Sequence, residues 1–140
     1  MQPTTPLLDL SNGRNLPGAV LVIGGGVGGM RAALDVAEAG LKAFLVESTP
    51  ALGGRVAQLG FMFPTHDCVL CRGTSDHGYG CTRPSITPAL LDHNLHPNIE
   101  VLKGATVSKA SGEPGRYAVS VQVNGSVREL TAGAVVQATG

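Results

Sequence analysis

The sequence predicts an α/β fold in which a parallel sheet, opened by a βαβ unit, is followed by an antiparallel β-meander. Three observations predict it. Residues Val20 to Glu47, VLVIGGGVGGMRAALDVAEAGLKAFLVE, read as an apolar strand, a glycine-rich turn, an alanine-rich helix and a second strand ending in an acid. From Ala105 to Leu130 the pattern changes to alternating apolar and polar residues broken by turn signals. Gly133 to Gly140, GAVVQATG, then returns to a short apolar run ending in small residues.

Each element has its own local cause. Ala19 to Ile23 is a continuous apolar run, as expected of a strand covered on both faces in a parallel sheet. Val27 to Ala39 places Met30, Ala33, Leu34 and Ala37 on one helical stripe and Arg31, Asp35 and Glu38 outside it, and Gly40 ends the helix. Ala43 to Glu47 is the second strand. Residues 48–86 form a long irregular insertion, a length that usually signals function or organisation by a ligand. Thr87 caps a short helix through Leu95, with Pro88 at its first position. His96, Pro97 and Asn98 turn the chain into Ile99 to Leu102, a third strand. In the meander, Tyr117, Val119, Val121 and Val123 project to one side, and Ala118, Ser120 and Gln122 to the other. Gly115 precedes that strand, and Asn124-Gly125 closes a hairpin onto Val127 to Leu130. Gly133 to Gly140 is expected to be a fourth buried strand running into a small-residue turn. The expected organisation is a flexible leader over residues 1–18 and one domain over 19–140.

Composition narrows the function. A chain of 140 residues can bury one sizeable core. Its ten basic and ten acidic residues cancel, no like-charge run occurs and aromatics are few, so neither a nucleic-acid surface nor a membrane footprint is expected. No window approaches a membrane span, and the first residues lack a secretory n-region and h-region. Three cysteines in one short segment make a poor disulfide framework and point to a reducing cytoplasm, with thiolates on a metal or cluster.

Gly24, Gly26 and Gly29 stand at the glycine positions of a dinucleotide fingerprint, and Glu47 follows after seventeen intervening residues. Gly24 permits a sharp turn off the strand. Gly26 has no Cβ, so a pyrophosphate can lie against the main chain, and Gly29 lets helix and strand pack closely. The phosphates would sit on the free N–H groups and positive end of the helix, whose first turn also holds Gly28. Glu47 would accept hydrogen bonds from ribose hydroxyls and would disfavour a 2′-phosphate, so the nucleotide is expected to be FAD or NAD and not NADP. A purely structural glycine turn is the bland alternative.

Arg55, after Gly53-Gly54, would bring a guanidinium to the phosphates, where its planar fork suits bidentate contact. An exposed arginine on an ordinary loop is the alternative. Cys68, Cys71 and Cys81 form Cys-x-x-Cys-x9-Cys, a spacing that lets thiolates converge on one centre. A structural zinc, a redox-active dithiol at Cys68 and Cys71, and inert thiols all stay open, and His66, His77 or Asp67 could supply a fourth ligand. His93 and His96 have no acid or nucleophile companion and receive no catalytic role. Nucleophile-elbow and phosphate-loop motifs are absent, which removes hydrolase and kinase readings and leaves no catalytic residue assigned.

The order of these pieces resembles the FAD domain of two-dinucleotide-binding flavoproteins. There a glycine fingerprint, an acid-ended strand, a Gly-Gly segment, a meander and a terminal Ala-Thr-Gly follow one another, here ending at Ala138-Thr139-Gly140. Within that group, GGRVAQLGFMFPTHDCVLC, Gly53 to Cys71, followed by HPNIEVL, resembles the A subunit of heterodisulfide reductase and its bacterial relatives. The resemblance implies a Rossmann-like FAD-binding domain, incomplete at its C-terminus, with Thr139 and Gly140 among the cofactor-binding residues. It also implies a [4Fe-4S] cluster on Cys68, Cys71 and Cys81, electron transfer as the activity, and other subunits or domains of an electron-transfer complex as partners. Arg72 to Ile86, which carries Cys81, departs from the common family pattern as an insertion. A non-catalytic Rossmann module with structural zinc, or an NAD-binding domain, are the rival expectations.

Overall fold

The computed structural model describes residues 18–55, 58, 61–62, 67–68 and 96–140, with 61–62 and 67–68 as backbone. Strand β1, Val20–Ile23, leads into helix α1, Val27–Glu38, and strand β2, Ala43–Glu47. Two short strands follow, β3 at Phe61–Met62 and β4 at Asp67–Cys68, then β5 at Ile99–Lys103. Strands β6 (Ala105–Glu113), β7 (Arg116–Val123) and β8 (Ser126–Ala132) precede β9, Ala134–Gln137.

The parallel sheet has the order β5-β2-β1-β9. Its register is set by Val20 beside Ala43 and Ala134, and by Ala43 beside Ile99. The meander is a separate antiparallel sheet, β6-β7-β8. Three layers result: α1, the parallel sheet and the meander.

Side chains alternate across β1 and β2, which is how two short strands serve two cores. Val22, Ala43 and Leu45 pack with Met30, Ala33, Leu34 and Ala37 of α1. On the opposite face Leu21, Phe44 and Val46 pack with Val119, Val121, Leu130 and Ala132 of the meander. Leu21, Val22 and Leu45 are fully buried, and each large apolar side chain so placed contributes about 1.5–3 kcal/mol of transfer free energy.

The helix stops where expected, and the reason is visible. Gly40 takes φ 84°, its N–H donates to Ala37 O at 3.0 Å, and Leu41 N–H donates to Val36 O at 3.2 Å. This is a Schellman closure of the last turn. Asn98 adds a side-chain bond from Nδ2 to Ala37 O at 3.3 Å, so the turn before β5 also caps α1. In the meander, Asn124 (φ 49°) and Gly125 (φ 83°) both adopt the left-handed conformation that a two-residue hairpin turn requires. Val119 and Val121 are fully buried, Tyr117 and Val123 pack against the same core, and Ala118 and Gln122 are exposed, as the alternation predicts.

Two expectations need correction. The last strand is not buried: Ala134, Val135 and Gln137 are exposed and Val136 is half-buried. It pairs with β1 along one side and stands at the sheet edge, so its apolar run reflects strand propensity more than burial. The insertion is not wholly irregular either, since β3 and β4 pair in antiparallel fashion, Phe61 beside Cys68. The leader through Pro17 and the helix expected over Thr87 to Leu95 lie outside the described residues.

Candidate functional site

A cleft of about 1060 Å³ opens where β1 meets α1, with the Glu47–Arg55 segment on one side and Ala138-Thr139-Gly140 on another. Gly24, Gly26, Gly28, Glu47, Gly53, Gly54, Arg55, Thr139 and Gly140 all line it. Gly29, the remaining fingerprint glycine, is buried behind them.

The fingerprint glycines do different work. A Cβ on Gly24 would lie 2.3 Å from Ala138 O, and the residue takes φ 107°. A Cβ on Gly29 would lie 1.7 Å from Gly24 O, so this residue permits the close approach of helix and turn. Gly26 is the exception. It has ordinary extended dihedrals (φ −73°, ψ −173°), and a Cβ there would meet no atom of the described residues within 4 Å. Among the described residues nothing demands glycine at that position, and the open space above it is a cradle that a side chain would fill.

The floor of the cleft is electrostatically suited to an anion. The first α-type bond of α1 runs from Met30 N–H to Gly26 O at 2.9 Å, so the N–H groups of Val27, Gly28 and Gly29 precede the helical ladder. The first turn carries no acidic residue to neutralise the positive end of the dipole. Gly53 and Gly54 come up beside it. Gly53 N–H donates to Gly25 O at 2.8 Å, Gly53 bridges Gly26 in parallel fashion, and a Cβ on Gly54 would lie 3.1 Å from Gly26 Cα. This brings exposed Arg55 to the rim.

Glu47 ends β2 at only 8% exposure. Its Oε2 accepts from Gly25 N–H at 2.7 Å. Its Oε1 accepts from Thr49 N–H at 2.8 Å, Thr49 Oγ1 at 2.9 Å and Ser48 Oγ at 3.3 Å. Burial pushes the carboxyl upward, but the donors from Thr49, Gly25 and Ser48 together outweigh it and hold the group below the ordinary glutamate range. The group is therefore a carboxylate at neutral pH.

Gly25 and Thr49 are the residues that sequence reasoning missed. A Cβ on Gly25 would lie 2.6 Å from Leu52 Cδ2 and 2.9 Å from Glu47 Oε2. The signal was present: a variable position of the fingerprint is itself a glycine, in Gly24-Gly25-Gly26. Of the expected metal ligands, Cys68 stands in β4, while Cys71 and Cys81 lie outside the described residues, as do His66 and His77.

A parallel sheet beginning with a βαβ unit, backed by a meander and opening a glycine-lined cleft at the strand ends, defines a Rossmann-like domain of the flavin-oxidoreductase type. The family model described as pyridine nucleotide-disulphide oxidoreductase matches residues 18–140, and the chain belongs to that family. It is similar to a protein of Archaeoglobus profundus named for its likeness to the A subunit of heterodisulfide reductase, with 42% identity over 74% of this chain and 13% of the relative. It is likewise similar to an iron-sulfur A subunit of the CoB–CoM heterodisulfide reductase of Methanopyrus kandleri, with 40% identity over 73% of this chain and 14% of that protein. The chain thus spans 13–14% of the length of these curated relatives. Among solved structures, the L-proline dehydrogenase from P. horikoshii matches with TM-score 0.65 and 24% identity, covering 87% of this chain and 22% of that one. That likeness concerns the fold.

Proposed function

We propose that this chain forms the FAD-binding part of an electron-transferring oxidoreductase resembling the A subunit of heterodisulfide reductase. The observation that carries the proposal is the open cradle above Gly26, set between the free end of α1 and the glycine pair Gly53-Gly54. On this reading Gly24, Gly26, Gly28 and Gly29 shape the pyrophosphate site, with Val27–Gly29 N–H groups binding its oxygens. Arg55 adds positive charge at the rim, Gly53 and Gly54 admit the extended dinucleotide, and Thr139 and Gly140 close the far side. Glu47 accepts from a ribose hydroxyl and repels a 2′-phosphate. When bound, FAD supplies an isoalloxazine ring that accepts and donates electrons; the chain supplies binding, orientation and electrostatics.

Cys68, Cys71 and Cys81 form the second part of the proposal, as ligands of a [4Fe-4S] relay centre, with zinc as the competing occupant. Thiolates bound in this way suit a reducing cytoplasm. Other subunits or domains of an electron-transfer complex are the proposed partners, a reading supported by the names of the similar proteins. Among the described residues no helix is long and apolar enough to cross a membrane.

The test is anaerobic purification of the protein, followed by flavin, nicotinamide, iron, sulfide and zinc analysis of one sample. FAD in near-stoichiometric amount with iron and sulfide is the expected result. NAD without flavin would overturn the FAD assignment, and zinc without iron would overturn the cluster.

A further inference from the structure

On the dinucleotide reading proposed above, we infer that Thr49 is a positioning residue for nucleotide binding: with the Gly25 N–H it clamps the Glu47 carboxylate so that only Oε2 is left to meet a ribose hydroxyl.

The argument is a count of lone pairs. A carboxylate oxygen accepts about two well-directed hydrogen bonds. Oε1 already has three donors within reach, two from Thr49 and one from Ser48. Among the described residues Oε2 has one donor, the Gly25 N–H at 2.7 Å, and keeps one acceptor site. Glu47 is almost fully buried yet lines the cleft, which is where a ribose hydroxyl could reach the open site.

Thr49 is itself held. Its carbonyl accepts from Gly104 N–H at 3.1 Å, which ties it to the β5–β6 junction. Its hydroxyl has two acceptors in reach, Glu47 Oε1 at 2.9 Å and Ala51 O at 2.8 Å, and one proton to give. The ionised partner is the stronger acceptor. Without that hydroxyl the carboxylate has a looser grip on Oε1, and binding must first restrict its rotation. Among the described residues the charged groups of the neighbouring elements are Lys103, the register partner of Glu47 on β5, and Arg55, which lines the same cleft; both are cations that a Thr49 variant leaves in place.

The experiment is FAD titration of the full-length protein, freed of bound nucleotide, at a series of pH values from acidic to neutral. Thr49→Val should weaken FAD binding about fivefold at neutral pH. It should also raise the pH at which affinity falls away on acidification, because one donor to the carboxylate is gone. Thr49→Ser should restore both. Ser48→Ala removes the longest of the contacts, 3.3 Å, and should change affinity by less than about twofold. Equal melting temperatures of the nucleotide-free proteins, with weakened binding by the valine variant, support positioning over folding. Unchanged affinity and unchanged pH midpoint in Thr49→Val overturn the inference while leaving the FAD reading intact, as does an equal effect from Ser48→Ala. A wild-type protein that takes up no FAD overturns the FAD reading, and this inference with it.

Discussion

The carbonyl oxygen of Ala138 lies 2.3 Å from where a Cβ on Gly24 would be, so the turn after β1 and the Ala138-Thr139-Gly140 segment meet backbone to backbone. Ala138 N–H donates to Ile23 O at 2.8 Å and holds the contact in place. Gly24→Ala must both strain a φ of 107° and part these segments. It should destabilise the protein by about 3 kcal/mol, measured by urea unfolding.

Gly26 and Gly29 should separate into opposite behaviours. Gly29→Ala puts a methyl 1.7 Å from Gly24 O and should cost about 2–4 kcal/mol of stability. Gly26→Ala meets no atom of the described residues and should cost less than about 1 kcal/mol, yet weaken FAD binding at least about tenfold by filling the cradle. Equal affinity of the Gly26→Ala variant and the wild type would remove the case for a ligand lying on that residue.

Acid should act through Glu47. Its folded pKa lies below the ordinary range, so its contribution is fully present above the unfolded glutamate pKa, about 4.3, and is lost as pH falls through the lower folded value. Glu47→Gln should lower stability at neutral pH by about 1–2 kcal/mol, because an amide cannot satisfy all the same donors. It should also flatten the dependence of the urea midpoint on pH in the acid range. A parallel fall in both proteins would assign the acid sensitivity elsewhere.

The docking of the meander should rest on its apolar face and not on its ion pairs. Leu130 is 2% exposed in the core between the two sheets, and Leu130→Ala should cost about 2–4 kcal/mol. Arg128 joins Glu100, which Lys42 also approaches at 3.6 Å, but these side chains are 45%, 29% and 25% exposed. Arg128→Ala should therefore cost less than about 1 kcal/mol, read from the same unfolding curves.

Much of the fold was legible because its signals are local. The stripe of Met30, Ala33, Leu34 and Ala37 predicted the buried face of α1 residue by residue. Asn124-Gly125 marked the hairpin because few residue pairs accept two left-handed conformations in succession. Burial of β9 was misjudged for the complementary reason: Ala134 to Gln137 looks alike in sequence whether it stands inside a sheet or at its edge. The site was legible in part. Glu47 and the glycines announced themselves by spacing, whereas Thr49 carried no motif, and its hydrogen bond to Glu47 is visible only in the folded chain.

By itself the sequence determined the succession of β1, α1, β2, β5 and the meander, the faces that α1 and β7 bury, and the hairpin turn at Asn124-Gly125. All of these follow from periodicity and from backbone angles, which a residue carries with it. The tertiary structure alone decided that Gly25 N–H reaches Glu47 across twenty-two residues of chain, and that Gly53 lies against Gly26. Those meetings depend on the register of β1 against β2, Ile23 beside Val46. A slip of one residue would turn Glu47 to the opposite face of the sheet, away from the turn it now supports.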